Sequence, residues 1–373
     1  MSPEGAMSPN DRFGLDHILD DLRLPGRAEL AAVIRSVTGG AEPDLAASLP
    51  DEAFFEPRLF CQLSNPGVFE LMPGPQLTMA WAAAEPRPVT IRTDAAGVAV
   101  VPGIGLVRID RPAAEISVDY VPTTAELYCD GGEFTHALFA ADSGIEVVRH
   151  IDPVLAAFLG EHVEAVESLE AVHPDAFAAD LARAVELIAA ADESYYRALC
   201  ESVCGMVVFT HPDAESFAAL GMHGMIFVNA VQGSSVDLFV EHLVHQGGHV
   251  LFSEATLHRA DFFEIEPDAE LAYLDAEFGN RTAYNFLHGL FTEHMECRIL
   301  VDILSGAHAR PEEIAAFDAH LAHVADRHER DLRIVAEHAR KVFSEEGIRL
   351  FEGFTSYYAA HVEPARALSG SPR

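Results

Sequence analysis

The sequence predicts an α+β fold, a β-rich N-terminal portion followed by a mainly helical one. Three observations predict it. Short β-branched runs separated by Gly, Pro and Asp crowd residues 87–150. From Asp152 onward, long segments carry apolar residues at helical spacing. The 373 residues, 49% of them hydrophobic, suffice for two cores or one large one. The change of character near residue 151 divides the chain into an N-terminal helical and antiparallel β portion, 1–150, and a mainly helical domain, 151–373. Nothing at that point reads as a linker.

Residues 11–50 read as helical through LDHILDDLRL and ELAAVIRSV. RPVTIRTDAAGVAVVPGIGLVRIDR, AEISVDY and GIEVVRHID then read as strands of an antiparallel sheet. PVLAAFLGEHVEAVESLE and DAFAADLARAVELIAAADESYYRALCESV are amphipathic helical segments. MVVFT and GMIFVNAV, bounded by Gly, His and Pro, read as buried strands. A helix starts near Ser235, an N-cap residue type, with Asp237 in its first turn. Further helices are expected over about 282–305, 311–345 and 347–362.

The formal net charge of −35 repels nucleic acid and anionic membrane, and attracts a basic peptide. No apolar run reaches membrane-spanning length. The N-terminus, MSPEGAMSPNDRFG, lacks a basic-then-apolar signal pattern, so a cytoplasmic location is expected. The scattered cysteines, Cys61, Cys129, Cys200, Cys204 and Cys297, form no disulfide framework or zinc-ribbon spacing, and core thiols are expected. Lys341 is the single lysine.

The stretch VEHLVHQGGHVLF, 240–252, carries chemistry. At 100° per residue, Val236, Phe239, Val240, Leu243 and Val250 share one side of the helix. His242, His245 and His249 fall within an arc of roughly 60° on another. His245 and His249, four residues apart, can share one metal ion. His242 lies two turns from His249, about 10 Å along the axis, and is expected beside the site rather than on the ion. Two readings stand: a metal site, or satisfied core histidines. Gly247 and Gly248 each cost a helix interior about 1 kcal/mol, so something is expected to come close there: a cofactor, a substrate or another backbone. His320, His323, His328 and His338 read instead as a solvated helix face.

The spacing is the skeleton of His-Glu-x-x-His, a zincin-like motif, but the catalytic position holds Gln246. A glutamine amide accepts no proton near neutral pH, so hydrolysis through a metal-bound water is disfavoured. That leaves a retired protease fold, or metal chemistry without a general base, for which iron(II) with dioxygen is the candidate. The third ligand is sought in RTAYNFLHGLFTEHMECRIL, 281–300. His288 shares an apolar stripe there with Tyr284, Phe291, Thr292, Met295 and Ile299. Glu293 and Glu296 are rivals, with a solvated helix face as their ordinary reading, and His258 is a fourth choice beyond the helix. A cosubstrate such as 2-oxoglutarate needs a cation, and Arg281 and Arg298 flank the His288 segment.

These segments resemble the HExxH-type peptide-modifying proteins of bacterial ribosomal-peptide pathways, described as 2-oxoglutarate-dependent peptide β-hydroxylases. GMIFVNAVQGSSVDLFVEHLVHQGGHVLF is similar to the family's strand, loop and helix bearing E-x-LVHE-x-x-H. NRTAYNFLHGLFTEHMECRIL is similar to its R-P…LHG-(V/L)-F helix, and GIEVVRHIDP to its D-DP element. The likeness covers about residues 85–305. It implies that His245, His249 and His288 bind iron(II), that Arg281 matches the arginine ahead of LHG, and that the partner is a peptide; the acidic surface is compatible with a basic precursor peptide. Gln246 departs from the family's glutamate, which an oxygenase tolerates better than a peptidase. The expected activity is hydroxylation of an unactivated carbon of a peptide side chain. The alternatives are a degenerate zincin-like hydrolase and a non-catalytic scaffold.

Overall fold

The computed structural model describes residues 17–38, 49–64, 88–121, 126–164, 170–231, 233–306 and 308–369, with single residues 47 and 124. The helical reading over 11–16 and 39–46, and the MSPEGAMSPNDRFG terminus up to residue 14, lie outside them. So does the expected helix beyond His162 at 165–169.

The chain is α+β. Its elements in order are α1 (Arg23–Thr38), α2 (Pro57–Ser64), β1 (Val89–Arg92), β2 (Val98–Val101), β3 (Gly105–Arg108), β4 (Glu115–Val121), β5 (Glu126–Tyr128), β6 (Glu133–His136), β7 (Leu138–Phe139) and β8 (Glu146–Val147). They continue with α3 (Pro153–His162), β9 (Glu170–Ala171), α4 (Ala178–Ala191), α5 (Glu193–Ser202), β10 (Gly205–Thr210), β11 (Phe217–Ala218) and β12 (Met225–Asn229). The C-terminal helices are α6 (Val236–Ala255), α7 (Ala283–Ser305), α8 (Pro311–Ala336), α9 (Ala339–Val342), α10 (Glu345–Tyr357) and α11 (Glu363–Ser369). No helix among the described residues is long and apolar enough to cross a membrane. Cys61 and Cys297 are buried, and Cys129, Cys200 and Cys204 half-buried.

The chain forms two compact units. One comprises 28–182 and 200–235 and holds the sheets. β1, β4 and β5 form one antiparallel sheet, and β2, β3 and β6 another. β4 alternates as its sequence requires, with Ile116 and Val118 buried and Glu115, Ser117 and Asp119 exposed. Those two residues join Ile91, Val101, Val107 and Leu127 in one core. The third sheet runs β11-β12-β10-β8-β7, with β9 on β10. MVVFT and GMIFVNAV are its parallel central strands, β10 and β12. They are buried almost throughout, which is why they read as unbroken apolar runs. α3 packs on them through Val154, Phe158 and Leu159. Asp152 caps α3 by accepting from the Val154 and Leu155 amides, with Pro153 in the first turn.

The expected boundary at 151 does not coincide with this division. β8, before it, pairs in parallel with β10, after it, so one sheet is built from both sides. An apolar strand buried on two faces must find partners, and composition alone hides where those partners lie.

The other unit gathers the residues up to 27, 183–199 and 236 onward. α7 is its axis: it packs against both α6 and α8 and is buried along most of its length. Thr282 caps α7 by accepting from the Asn285 amide. This unit holds every residue of the candidate site.

Candidate metal centre

α6 and α7 bring the three predicted histidines together. The His245 and His249 rings lie with centroids 4.8 Å apart, and those of His249 and His288 4.4 Å apart at nearly a right angle. His249 Nδ1 is 2.8 Å from His288 Nε2. Without an ion one of these nitrogens carries the proton the other accepts; facing a shared ion they would separate only to roughly 3.4 Å. Phe252 stacks on His288 at 5.2 Å, and Tyr284 lies 5.4 Å from it.

Burial pushes His249 down to about 2, helped by the neighbouring His288 and His245. Burial likewise lowers His288 to about 3, with His245 and the Arg259 guanidinium adding to it. Both rings are therefore neutral at physiological pH, the state in which imidazole donates a lone pair to a metal. His245 differs. Its Nδ1–H donates to Glu296 Oε1, which leaves Nε2 as its lone-pair nitrogen.

Glu293 and Glu296 are not on a solvated face. Both are buried, because α8 lies against α7 and supplies their partners. Arg327 donates to Glu293 Oε1 at 2.7 Å and to Glu296 Oε1 at 3.4 Å, and His320 Nε2 donates to Glu296 Oε2 at 3.2 Å. Burial would raise the Glu296 carboxyl, but the bonds from His245 and His320 outweigh it and hold it at about 2. His320 and His328 are likewise drawn inward, and His328 is fully buried beside Glu293; of the four histidines read as solvated, His323 alone is fully on the surface and His338 is half-buried. His320, Arg327 and His328 are seven and eight residues apart, hence on one helix face, and that spacing was the available signal. His242, lowered by burial, lies close enough to His245, Glu296 and His320 to feel their charges, as its place beside the site required.

Among the described residues, the one set of three possible ligands whose donor atoms all lie within 4.8 Å of each other is Glu241, Glu296 and His320. The predicted trio is strung out instead, with His249 in the middle. Yet Glu296 already accepts from the Arg327 guanidinium and from the rings of His245 and His320, so its lone pairs are taken by protein donors. His249 and His288 carry no such competing cation bond, and they suit an ion better.

Of the neighbours expected at the two glycines, the protein itself comes close. A Cβ on Gly247 would lie 2.2 Å from Leu199 Cδ1 of α5, and one on Gly248 would lie 3.3 Å from Thr292 Cγ2 of α7. Helix packing, not a cofactor, occupies that space. Gln246 is buried in α6. His258 follows α6 and is exposed.

Arg281 grips Asp331 with both terminal nitrogens and lies over Phe286. Arg298 donates to Asp192 at 3.0 Å. Both therefore already hold a protein carboxylate. The guanidinium whose charge reaches His288 is that of Arg259, which sequence reasoning passed over. It sits in the turn after α6, 3.8 Å above the Tyr284 ring, and among the described residues its carboxylate partner is exposed Asp268, at a loose 3.9 Å. No model of a protein family matches the chain, and no curated protein does either.

Proposed function

We propose that this chain is an iron(II)- and 2-oxoglutarate-dependent oxygenase that hydroxylates an unactivated carbon of a peptide side chain. The observation that carries the reading is the row of His245, His249 and His288 on α6 and α7, each ring against the next and two of them held neutral, with no carboxylate at position 246. The resemblance of the two helices to peptide-modifying proteins supplies the substrate class and the zincin-like character.

These three histidines would hold the metal. Bound iron would supply oxidation by dioxygen, one oxygen atom going to the substrate carbon and the other to the carboxylate formed as the 2-oxo acid loses carbon dioxide. The chain's own residues do the rest. Glu296 fixes the His245 tautomer through Nδ1. Arg259 offers a bidentate guanidinium for the cosubstrate carboxylate, in place of Arg281 and Arg298. Phe252 and Tyr284 keep water from His288. Gln246 orients a neighbour through its amide and moves no proton.

A zincin-like protein that binds zinc without hydrolysis is the second reading. The carboxylate–histidine pair of Glu296 and His245 favours it, as does the engagement of both Arg281 and Arg298 by protein carboxylates. Anaerobic iron(II) titration with 2-oxoglutarate separates the two. The oxygenase gives a weak visible charge-transfer band that His249→Ala abolishes, Arg259→Ala weakens and Arg281→Ala leaves unchanged. A chain that keeps zinc and gives no band is the second kind of protein.

A further inference from the structure

The sheet-bearing unit has its own cavity, which the histidine site does not use. It measures about 370 Å³, within the usual range for small-ligand pockets of about 300–1,000 Å³. It opens where the β2–β3 turn, β8, the start of β10 and the start of α2 meet. Phe55, Ile104, Phe139, Val203 and Met225 make its walls apolar. Its charged lining is uneven: Glu52, Glu56 and Glu146 face a single cation, Arg58.

Arg58 is spent. It is 2% exposed, and donates through Nε to Asp152 and through Nη1 to Glu56 Oε1, each at 2.7 Å. The cavity therefore has no free cation for an anionic ligand. Its unmet valence is acidic. Glu56 Oε2 is buried and has no hydrogen-bond partner among the described residues, which is costly for a buried acceptor. Glu146 gives one oxygen to the Gly103 amide at 2.8 Å, and its charge reaches the same guanidinium. Burial pushes the carboxyls of both Glu56 and Glu146 up, against the pull of Arg58, so each would gain from a second positive charge.

We infer that this cavity binds an alkylammonium or alkylguanidinium group, its aliphatic stem against the apolar walls and its cationic head at Glu56 and Glu146. An amine supplies the donor that Glu56 Oε2 lacks, and the stem supplies apolar contact that a hydrated metal ion cannot. The net charge of −35 draws such cations toward the protein. The group can come from a free amine or from a lysine or arginine side chain of a peptide. The inference is independent of the metal centre.

Calorimetric titration of the full chain tests it, with pentane-1,5-diamine, agmatine and the peptide Gly-Lys-Gly as probes. Pentan-1-ol and the norleucine tripeptide serve as neutral controls. Saturable binding of at least one cation, none of the neutral controls, and a loss of about tenfold or more in Glu56→Gln is the expected result. Free amines binding as well as the peptide identify a small amine as the ligand; a preference for the peptide identifies a basic side chain. Ile104→Trp fills the cavity without touching a charge, and abolishes binding even if Glu56→Gln fails to fold. Absence of binding by all three cations, or binding unchanged in both variants, overturns the inference.

Discussion

Glu296 shows how one side chain can decide a site that the sequence leaves open. It was a rival third ligand on paper, with a solvated face as its ordinary reading. In the structure it is a buried acceptor for His245, His320 and Arg327. Its expected role is to orient His245, so Glu296→Gln lowers affinity for cobalt(II) by about 10–100-fold while the ion still binds. An unchanged affinity in a spectroscopic titration would remove Glu296 from the site. Asp302 gives a test of the electrostatics away from the ligands. Burial raises it to about 6 from 3.8, aided by Asp192 and opposed by Arg298. Between those values the folded chain keeps a proton that the unfolded chain has lost. That stabilisation is whole below the unfolded value and is lost as pH rises through about 6. Asp302→Asn is therefore more stable than wild type near pH 8, by about 3 kcal/mol, and the gap closes below pH 4. Urea unfolding at both pH values checks it; a gap that grows on acidification contradicts it. Neither environment was legible in the sequence, because both depend on which helix lies against α7.

Elements were easier to read than their neighbours. The histidine helix, the two apolar strands and α7 lie where periodicity put them, since a 3.6-residue or unbroken apolar pattern survives any tertiary arrangement. The meaning of Gly247 and Gly248 stayed open. Two glycines between histidines left a cofactor, a substrate or another backbone open, and it is α5 and α7 that fill the space. The pair separates under substitution. Gly247→Ala drives a methyl into Leu199, itself 1% exposed, and the cost of overpacking, about 1–3 kcal/mol, outweighs a helix-propensity gain of about 1 kcal/mol. Gly248→Ala meets Thr292 Cγ2 at 3.3 Å and Phe291 Cε1 at 3.7 Å, and is near neutral. Equal midpoints for the two variants in denaturant unfolding would show that α5 does not press on α6. The long helix α8 taught the opposite lesson. Its histidines read as solvated because its surface is charged, yet the face with His320, Arg327 and His328 turns inward to meet two buried glutamates.

At the scale of the molecule, the α+β class and a β-rich first part followed by helices were readable from composition. The division of the chain was not. One compact unit is assembled from three separate stretches and the other from two, and a boundary drawn along the sequence cannot represent that. The candidate metal ligands nonetheless fall together, because α6 and α7 belong to the same unit. The acidic cavity belongs to the other, and no sequence motif announced it: Glu56, Glu146 and Met225 share a pocket only after β8 and β10 pair.

The most direct test of the central claim is the stoichiometry and location of a bound divalent ion, measured by anaerobic cobalt(II) titration of the full chain. The account predicts one equivalent for wild type, lost in His245→Ala and in His249→Ala and retained, at unchanged affinity, in Glu241→Ala. Failure of wild type to bind the ion would contradict the account. So would an ion that survives loss of both histidines and disappears with Glu241, for it would then sit with Glu241, Glu296 and His320 instead.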